Sequence, residues 1–353
     1  MDAVSLGLDG PRVSEVALGT WTFAGDAIWG ASEERRCIRV VHAALDRGIT
    51  LFDTAPNYGG GRSERILGSA LRRRSDAFVA TKLKIEGVRP EDIRSATIES
   101  LRRLHRDTID LMQIHWPASA PGETAEALAT FEKMRREGLV RHIGVCNFGV
   151  YDLDELAAVP VVSNQLPYSA LWRVIEGDIA GETVRRGLTT IAYSVLQQGL
   201  LSGAYESPAA FPEGRKRTRH FGRKRPAVRH SESGMEEETE AALGALQTLS
   251  RALDRPLREI SLAFVRSRPF IDVMLVGART EEQLVESIEA AESGLSEDEV
   301  YAVEEATANL LAAAGGNPDM YLTESRVRFR GPDGEATRRA GASPRPLRSE
   351  NGA

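Results

Sequence analysis

Short apolar runs alternate with longer amphipathic stretches along most of this chain. The runs fall at 16–20, 49–53, 77–82, 109–115, 140–146, 161–164, 188–193 and 271–276, and each reads as a buried strand. Between them the spacing predicts helices over 33–47, 63–73, 90–105, 123–137, 150–157, 177–186, 236–253 and 281–290. Start signals support several of these. Ser32-Glu33-Glu34 and Ser63-Glu64-Arg65 are cap-like, and Pro90-Glu91-Asp92 puts proline and acids in a first turn. Strict alternation of strand and helix predicts a parallel sheet. Eight such units in roughly 250 residues fit a (β/α)8 TIM barrel. The rival, a doubly wound sheet, normally carries a Gly-rich phosphate loop after its first strand, and Leu18-Gly19-Thr20-Trp21 is not one.

Outside the alternation, Val4 to Leu8 and Arg12 to Val16 flank Asp9-Gly10, a hairpin turn signal. That hairpin is placed to plug the N-terminal end of a barrel. A long segment, 202–235, carries Arg215, Lys216, Arg217, Arg219, Arg223, Lys224, Arg225 and Arg229. It reads either as a solvated loop or as an anion-attracting flap over a phosphate-bearing ligand; the solvated loop is preferred for most of these cations. A C-terminal helical extension completes one domain over 1–325. The Arg-, Pro- and Gly-rich stretch 326–353 lacks periodicity and reads as a disordered tail.

Composition narrows the function. A net charge of −6 over 353 residues argues against general nucleic-acid or membrane affinity. No run is long enough to span a bilayer, and the first residues do not resemble a leader, so a cytoplasmic protein is expected. Cys37 and Cys146 imply neither a disulfide framework nor a metal cluster. Lysine is scarce, only Lys82, Lys84, Lys133, Lys216 and Lys224, which draws attention to the one that closes a strand.

In a TIM barrel, chemistry forms at the C-terminal strand ends. Those ends deliver Gly19-Thr20-Trp21, Asp53, Thr81-Lys82, His115-Trp116, Cys146-Asn147, Asn164-Gln165, Tyr193-Ser194 and Gly277-Ala278-Arg279, with Tyr58 in the loop after Asp53. A phenol with pKa near 10 is a weak acid at neutral pH. An ammonium about 4 Å away contributes roughly 4 kcal/mol at an effective dielectric near 20, up to about three pKa units. Lys82 is therefore expected to tune Tyr58 as a proton donor to a carbonyl oxygen, with Asp53 holding Lys82 and His115 orienting the carbonyl. No side chain supplies hydride, so a nicotinamide cofactor is required.

The ordered motifs resemble the aldo-keto reductase family. They are Phe52-Asp53-Thr54-Ala55-Pro56-Asn57-Tyr58-Gly59-Gly60-Gly61-Arg62-Ser63-Glu64, Thr81-Lys82, Ile109 to Pro117, Gly144-Val145-Cys146-Asn147-Phe148, Asn164-Gln165, Ala192 to Gly203, and Gly277-Ala278-Arg279-Thr280-Glu281-Glu282-Gln283. The resemblance covers about residues 4–310. It implies NADP(H) bound without a Rossmann domain, and Tyr58 as general acid/base assisted by Lys82, Asp53 and His115. It further implies that Asn147 and Gln165 hold the carboxamide and that Tyr193 stacks on the nicotinamide. Gly19, Thr20, Trp21, Asp53, Cys146, Val195, Gln198 and Gly277 would also border the cofactor. Ser194, Leu196, Gly199 and Leu200 would line the pyrophosphate, and Arg279 and Gln283 would face the 2′-phosphate. Trp21, Trp29 and Trp116, with Tyr58 and His115, would wall the substrate pocket. Three positions depart from the family pattern: Cys146 stands for a Ser, Val195 for a Pro and Ser287 for an Asn.

Each residue also has a plainer reading. Asp53 and Lys82 alone could be a structural ion pair, His115 a core histidine, and Tyr58 loop packing. Their joint placement favours catalysis. The expected activity is NADPH-dependent reduction of an aldehyde or ketone. The alternatives are NAD(P)+-dependent oxidation of a sugar or secondary alcohol, and a nucleotide-binding sensor with little turnover. The partner is a small carbonyl or alcohol substrate; oligomeric state and substrate identity stay open.

Overall fold

A computed structural model describes residues 2–156, 159–331 and 335–337. Strands β1 (Ala3–Ser5) and β2 (Arg12–Ser14) form an antiparallel hairpin. Eight parallel strands then close a barrel: β3 (Val16–Gly19), β4 (Leu51–Asp53), β5 (Phe78–Leu83), β6 (Ile109–Ile114), β7 (Val140–Cys146), β8 (Val161–Pro167), β9 (Thr189–Tyr193) and β10 (Val273–Val276). Each pairs with its neighbours in chain order, and β10 returns to β3 through Leu275 opposite Ala17. The helices are α1 (Glu34–Asp46), α2 (Arg62–Leu71), α3 (Pro90–Leu104), α4 (Glu123–Arg136), α5 (Asp178–Arg185), α6 (Glu236–Ala252), α7 (Leu257–Arg266), α8 (Glu281–Glu292) and α9 (Glu297–Ala314). None of them is long and apolar enough to cross a membrane among the described residues.

Period-2 alternation divides each strand between two cores. One side, including Leu18, Phe52, Val79 and Met112, packs against the helices. The other, including Ala17, Leu51, Ala80, Leu111, Ile191, Val273 and Leu275, fills the barrel. The hairpin adds Leu6 and Val13 to that inner cluster, so it plugs the N-terminal end as expected.

Four expectations change. The helix expected over 150–157 is a single 3-10 turn at Leu153–Leu156, because Asp152 turns its carboxylate onto the Gly149 and Arg328 N–H groups and ties the loop down instead. Helix α7 lies outside the expected elements: its polar face is only Arg258, Glu259 and Arg266, while Leu257 and the run Ile260 to Val265 are buried. The segment 202–235 is not a solvated loop. Phe211, Lys216, Thr218, Arg219, His220, Phe221 and His230 are buried. Its cations meet acids scattered along the chain: Lys216 with Glu213 at 2.6 Å, Arg219 with Glu232 at 2.9 Å and Arg225 with Glu236 at 3.0 Å. The stretch from 326 also begins packed. Val327 is buried, and Arg328 bonds Asp152 and Glu155. Residues 338–353 of the expected tail lie outside the described residues.

Candidate active site

The strand register places the polar residues. Ala17, Leu51, Ala80 and Leu111 form an apolar layer inside the barrel, and the inward positions two residues on are Gly19, Asp53, Lys82 and Gln113. Gly19 lies opposite Asp53, Lys82 opposite Gln113, and Cys146 opposite Gln165. A polar layer thus caps the apolar one at the C-terminal rim.

Lys82 and Asp53 form an ion pair buried to 1% and 4% side-chain exposure. Their charges would be costly here unless paired and hydrogen-bonded. The ammonium also donates to the Thr54 carbonyl at 2.9 Å and to the Tyr58 hydroxyl at 3.3 Å. The second Asp53 oxygen accepts from Gln165 Nε2 at 2.9 Å and from Gln113 Nε2 at 3.2 Å. Burial pushes the Lys82 pKa down, but Asp53 and Tyr58 more than offset it, and the amine stays charged.

Tyr58 is delivered by a Gly-rich loop. Gly59 has φ +61°, and a Cβ there would lie 2.2 Å from the Ala24 carbonyl, so only glycine fits. Thr54, Ser63 and Thr20 bond to one another through their hydroxyls beneath the loop. Arg62 donates to the carbonyls of Phe23 at 2.9 Å and Ser32 at 2.6 Å, fixing the loop that carries Trp21 and Trp29. Burial raises the Tyr58 pKa above its ordinary value, and the field of Lys82 lowers it without winning. The expected net depression of Tyr58 by Lys82 is therefore reversed, because desolvation of a phenolate outweighs one ammonium already neutralised by Asp53.

His115 sets its ring edge-on to Tyr58, with centroids 6.3 Å apart. Burial, then Lys82, Lys84 and Arg326, hold its pKa well below 6.5, so the imidazole is neutral at neutral pH. Trp21 stacks on Tyr58 at 5.9 Å and meets Trp29 edge-on at 5.5 Å. Trp116 instead packs on Tyr321 at 6.5 Å, with the Arg326 guanidinium 3.7 Å from its ring centroid.

The remaining expected residues continue around the rim. Asn147 donates to the His115 carbonyl at 2.9 Å and accepts from Tyr193 at 2.7 Å. Cys146 turns inward, its thiol donating to Gln113 Oε1 at 3.4 Å. After β9, Ser194, Gln197, Gln198 and Gly199 all take positive φ. The side chains of Val195 and Leu200 are buried, which leaves only their backbone for a ligand. Gly277 packs against Thr22, and Arg279 and Gln283 sit together at the start of α8, the Arg279 N–H donating to Gln283 Oε1 at 3.0 Å. Buried Ser287 bonds back to the Gln283 carbonyl within that helix. Trp29 Nε1, His115 Nδ1, Gln198 Oε1, Arg215 Nε and Arg326 Nε are buried with no hydrogen-bond partner among the described residues. All five belong to side chains of this rim and of the segments over it. A cavity of about 380 Å³ lined by Arg62, Arg65, Arg102, Arg103 and His105 lies among α1, α2 and α3 and holds none of these groups.

A family model described as the aldo/keto reductase family matches residues 15–308. The chain belongs to that family. It is 32% identical over 299 residues to the aldo-keto reductase YhdN of Bacillus subtilis, spanning 80% of this chain and 87% of that protein. It is 33% identical over 227 residues to an NADH-specific methylglyoxal reductase of Escherichia coli, spanning 58% of this chain and 70% of that one. Its fold is similar to that of a glycerol dehydrogenase from Gluconobacter oxydans, with a TM-score of 0.72 and 32% identity over 90% of this chain and 97% of that one.

This aldo-keto reductase also has site residues that the sequence did not single out. Gln113 shares the inward face of β6 with Leu111, so the period-2 pattern could have revealed it. Tyr321 carried no such signal. It follows α9 and reaches the rim through hydrogen bonds from Gln198, at 3.2 Å, and with Ser194. Arg215 and Arg217 were noted only as part of a basic run; both guanidiniums lie over aromatic rings of the site.

Proposed function

We propose that this aldo-keto reductase reduces an aldehyde or ketone to an alcohol with NADP(H), with Tyr58 as general acid. The observation that carries the reading is the Lys82 ammonium, ion-paired to Asp53 and donating to the Tyr58 hydroxyl at 3.3 Å beside a neutral His115. An isolated structural ion pair needs neither the phenol nor the imidazole.

The rim suits a dinucleotide. Gln198 Oε1 and Trp29 Nε1 are buried without partners among the described residues, and the left-handed turns from Ser194 to Gly199 turn backbone polar groups out of regular structure. Asn147 and Gln165 would hold the carboxamide, Tyr193 would pack on the nicotinamide, and the backbone from Ser194 to Leu200 would meet the pyrophosphate. Arg279 and Gln283 would meet a 2′-phosphate, for which a guanidinium fork is well shaped. The bound cofactor supplies hydride, which no side chain can. Tyr58 donates its proton to the carbonyl oxygen. Lys82 stabilises the phenolate left behind, Asp53 keeps Lys82 charged and aimed, and neutral His115 orients the carbonyl by hydrogen bonding.

The same groups run alcohol oxidation in reverse, with Tyr58 as base. The likeness to a glycerol dehydrogenase favours keeping that as the second reading. The test is a panel of carbonyls and alcohols assayed by nicotinamide absorbance with NADPH and NADH. Tyr58→Phe should lower turnover by about 100- to 10,000-fold, the range for a lost general acid. Cofactor binding without turnover on any substrate, or a fully active Tyr58→Phe protein, would sink the proposal. An Arg279→Ala protein that loses NADPH affinity while keeping NADH affinity would support the 2′-phosphate contact.

A further inference from the structure

Five of the eight cations in the segment 202–235 are held by hydrogen bonds or ion pairs among the described residues, and of the other three Lys224 and Arg229 are exposed. Arg215 donates to the Gln198 carbonyl at 3.1 Å and the Tyr205 hydroxyl at 3.0 Å. Lys216, Arg219 and Arg225 are ion-paired with Glu213, Glu232 and Glu236, and Arg223 donates to the Ser231 carbonyl at 3.1 Å. Arg217 differs. Its guanidinium has no hydrogen bond or ion pair among the described residues, although the residue is half-buried. Asp26 is close enough to influence it but forms no ion pair with it among the described residues, its Oδ1 accepting from the Ile28 and Trp29 N–H groups at 3.0 Å each.

What Arg217 does touch is the wall of the reaction site. Its Cζ lies 5.5 Å from the ring centroid of Trp21 and 5.5 Å from that of Tyr321. Trp21 stacks on Tyr58, and Tyr321 packs on Trp116 next to His115. Two aromatic faces steady a guanidinium by cation–π attraction and leave its N–H edges free. A fixed, partly desolvated guanidinium with free edges is built to take a planar carboxylate or a phosphate by paired hydrogen bonds. The cation bound to the 194–200 turn is Arg215, and the one at α8 is Arg279, so neither of those places accounts for Arg217.

We propose that Arg217 reads an anionic group on the substrate, so that the preferred substrates are carbonyl compounds bearing a carboxylate or a phosphate near the reacting carbon. This rests on the carbonyl-reducing reading above. The specificity lies in the difference between charged and neutral substrates, since a neutral one leaves the guanidinium unpaired.

Two matched pairs test it and separate the two anions: 4-oxobutanoate against butanal, and glyceraldehyde 3-phosphate against glyceraldehyde. The wild-type protein should prefer the charged member of at least one pair by about 10- to 100-fold in kcat/KM, the range for a hydrogen bond to a charged group. Arg217→Met keeps the apolar stem and should bring that ratio close to one. Arg217→Lys keeps the charge without the fork and should retain part of it. Three results would overturn the assignment. They are no preference in either pair, an Arg217→Met protein that loses both members of a pair equally, and a loss explained by weaker NADPH binding in a fluorescence titration. Turnover of the neutral aldehydes reports separately on the carbonyl-reducing reading: if they react and no charge preference exists, only the role of Arg217 fails.

Discussion

Acid should destabilise the folded protein through one histidine buried in the segment 202–235. His220 is fully buried, 5.3 Å from the Trp172 ring. Its Nε2 lies 2.9 Å from the Leu171 carbonyl, which can only accept, so Nε2 carries the proton. Nδ1 is left to accept from the Thr218 hydroxyl at 3.0 Å and the Gln197 amide at 3.3 Å. The neutral ring is thus fully satisfied, and a second proton at Nδ1 would face the Gln197 amide donor. Burial lowers its pKa, the Leu171 bond pulls the other way, and Arg219 and His230 lower it further, to about 4. The unfolded chain takes up this proton near pH 6.5, the native state only near pH 4. The stability contributed by neutral His220 is therefore complete above about pH 6.5 and lost as the pH falls. At about 1.4 kcal/mol per pH unit, roughly 2 kcal/mol is gone by pH 5 and roughly 3 kcal/mol by pH 4, and the loss levels off below that pH. His220→Gln keeps hydrogen-bonding capacity and does not titrate. Urea denaturation of both proteins at pH 7, 6 and 5 isolates the effect, because every other ionisable group is common to both. The stability advantage of the wild type over His220→Gln should shrink by about 2 kcal/mol between pH 7 and pH 5. A difference that stays constant across that range would refute the reasoning.

Other consequences follow from the ion pair and from Tyr58. Asp53→Asn strands the Lys82 ammonium and Lys82→Met strands the Asp53 carboxylate; each should cost about 3–5 kcal/mol, and the double variant should recover part of that loss in thermal melts. Because burial raises the Tyr58 pKa above 10, reduction of a neutral aldehyde should be flat through neutral pH and fall only above pH 10. Alcohol oxidation, which needs the phenolate, should instead rise steadily with pH. A reduction profile already falling between pH 7 and pH 9 would contradict the assigned state of the phenol.

The barrel and its polar rim were readable because both rest on period-2 alternation and short strands, which are local properties. Asp53, Lys82 and His115 close buried runs, and their elements formed where the pattern put them. What escaped depends on contacts distant in the chain. The basic run from Arg215 looked solvated because its acidic partners, Glu232 and Glu236, lie beyond the next turns, and because Arg219 binds the carbonyls of Ala314 and Asn317. Tyr321 reaches the rim only because the chain after α9 folds back over the barrel. The sign of the Tyr58 shift failed for a related reason. Distance from Lys82 can be guessed from a motif, but the extent of burial depends on Trp21 and on the covering segments, which arrive from elsewhere.

The closure of β10 onto β3 bears on how the protein is made. The chain emerges from the ribosome in order, and β3 waits with one edge unpaired until β10 has been synthesised. Leu6 and Val13 of the hairpin cannot complete their burial before then, since Val273 and Leu275 belong to the same inner cluster. The last covalent stretch of the barrel thus seals the first, and the nascent protein carries an open sheet edge and an unsealed apolar interior for most of its translation. The partly synthesised chain thus exposes an edge that the closed barrel no longer offers.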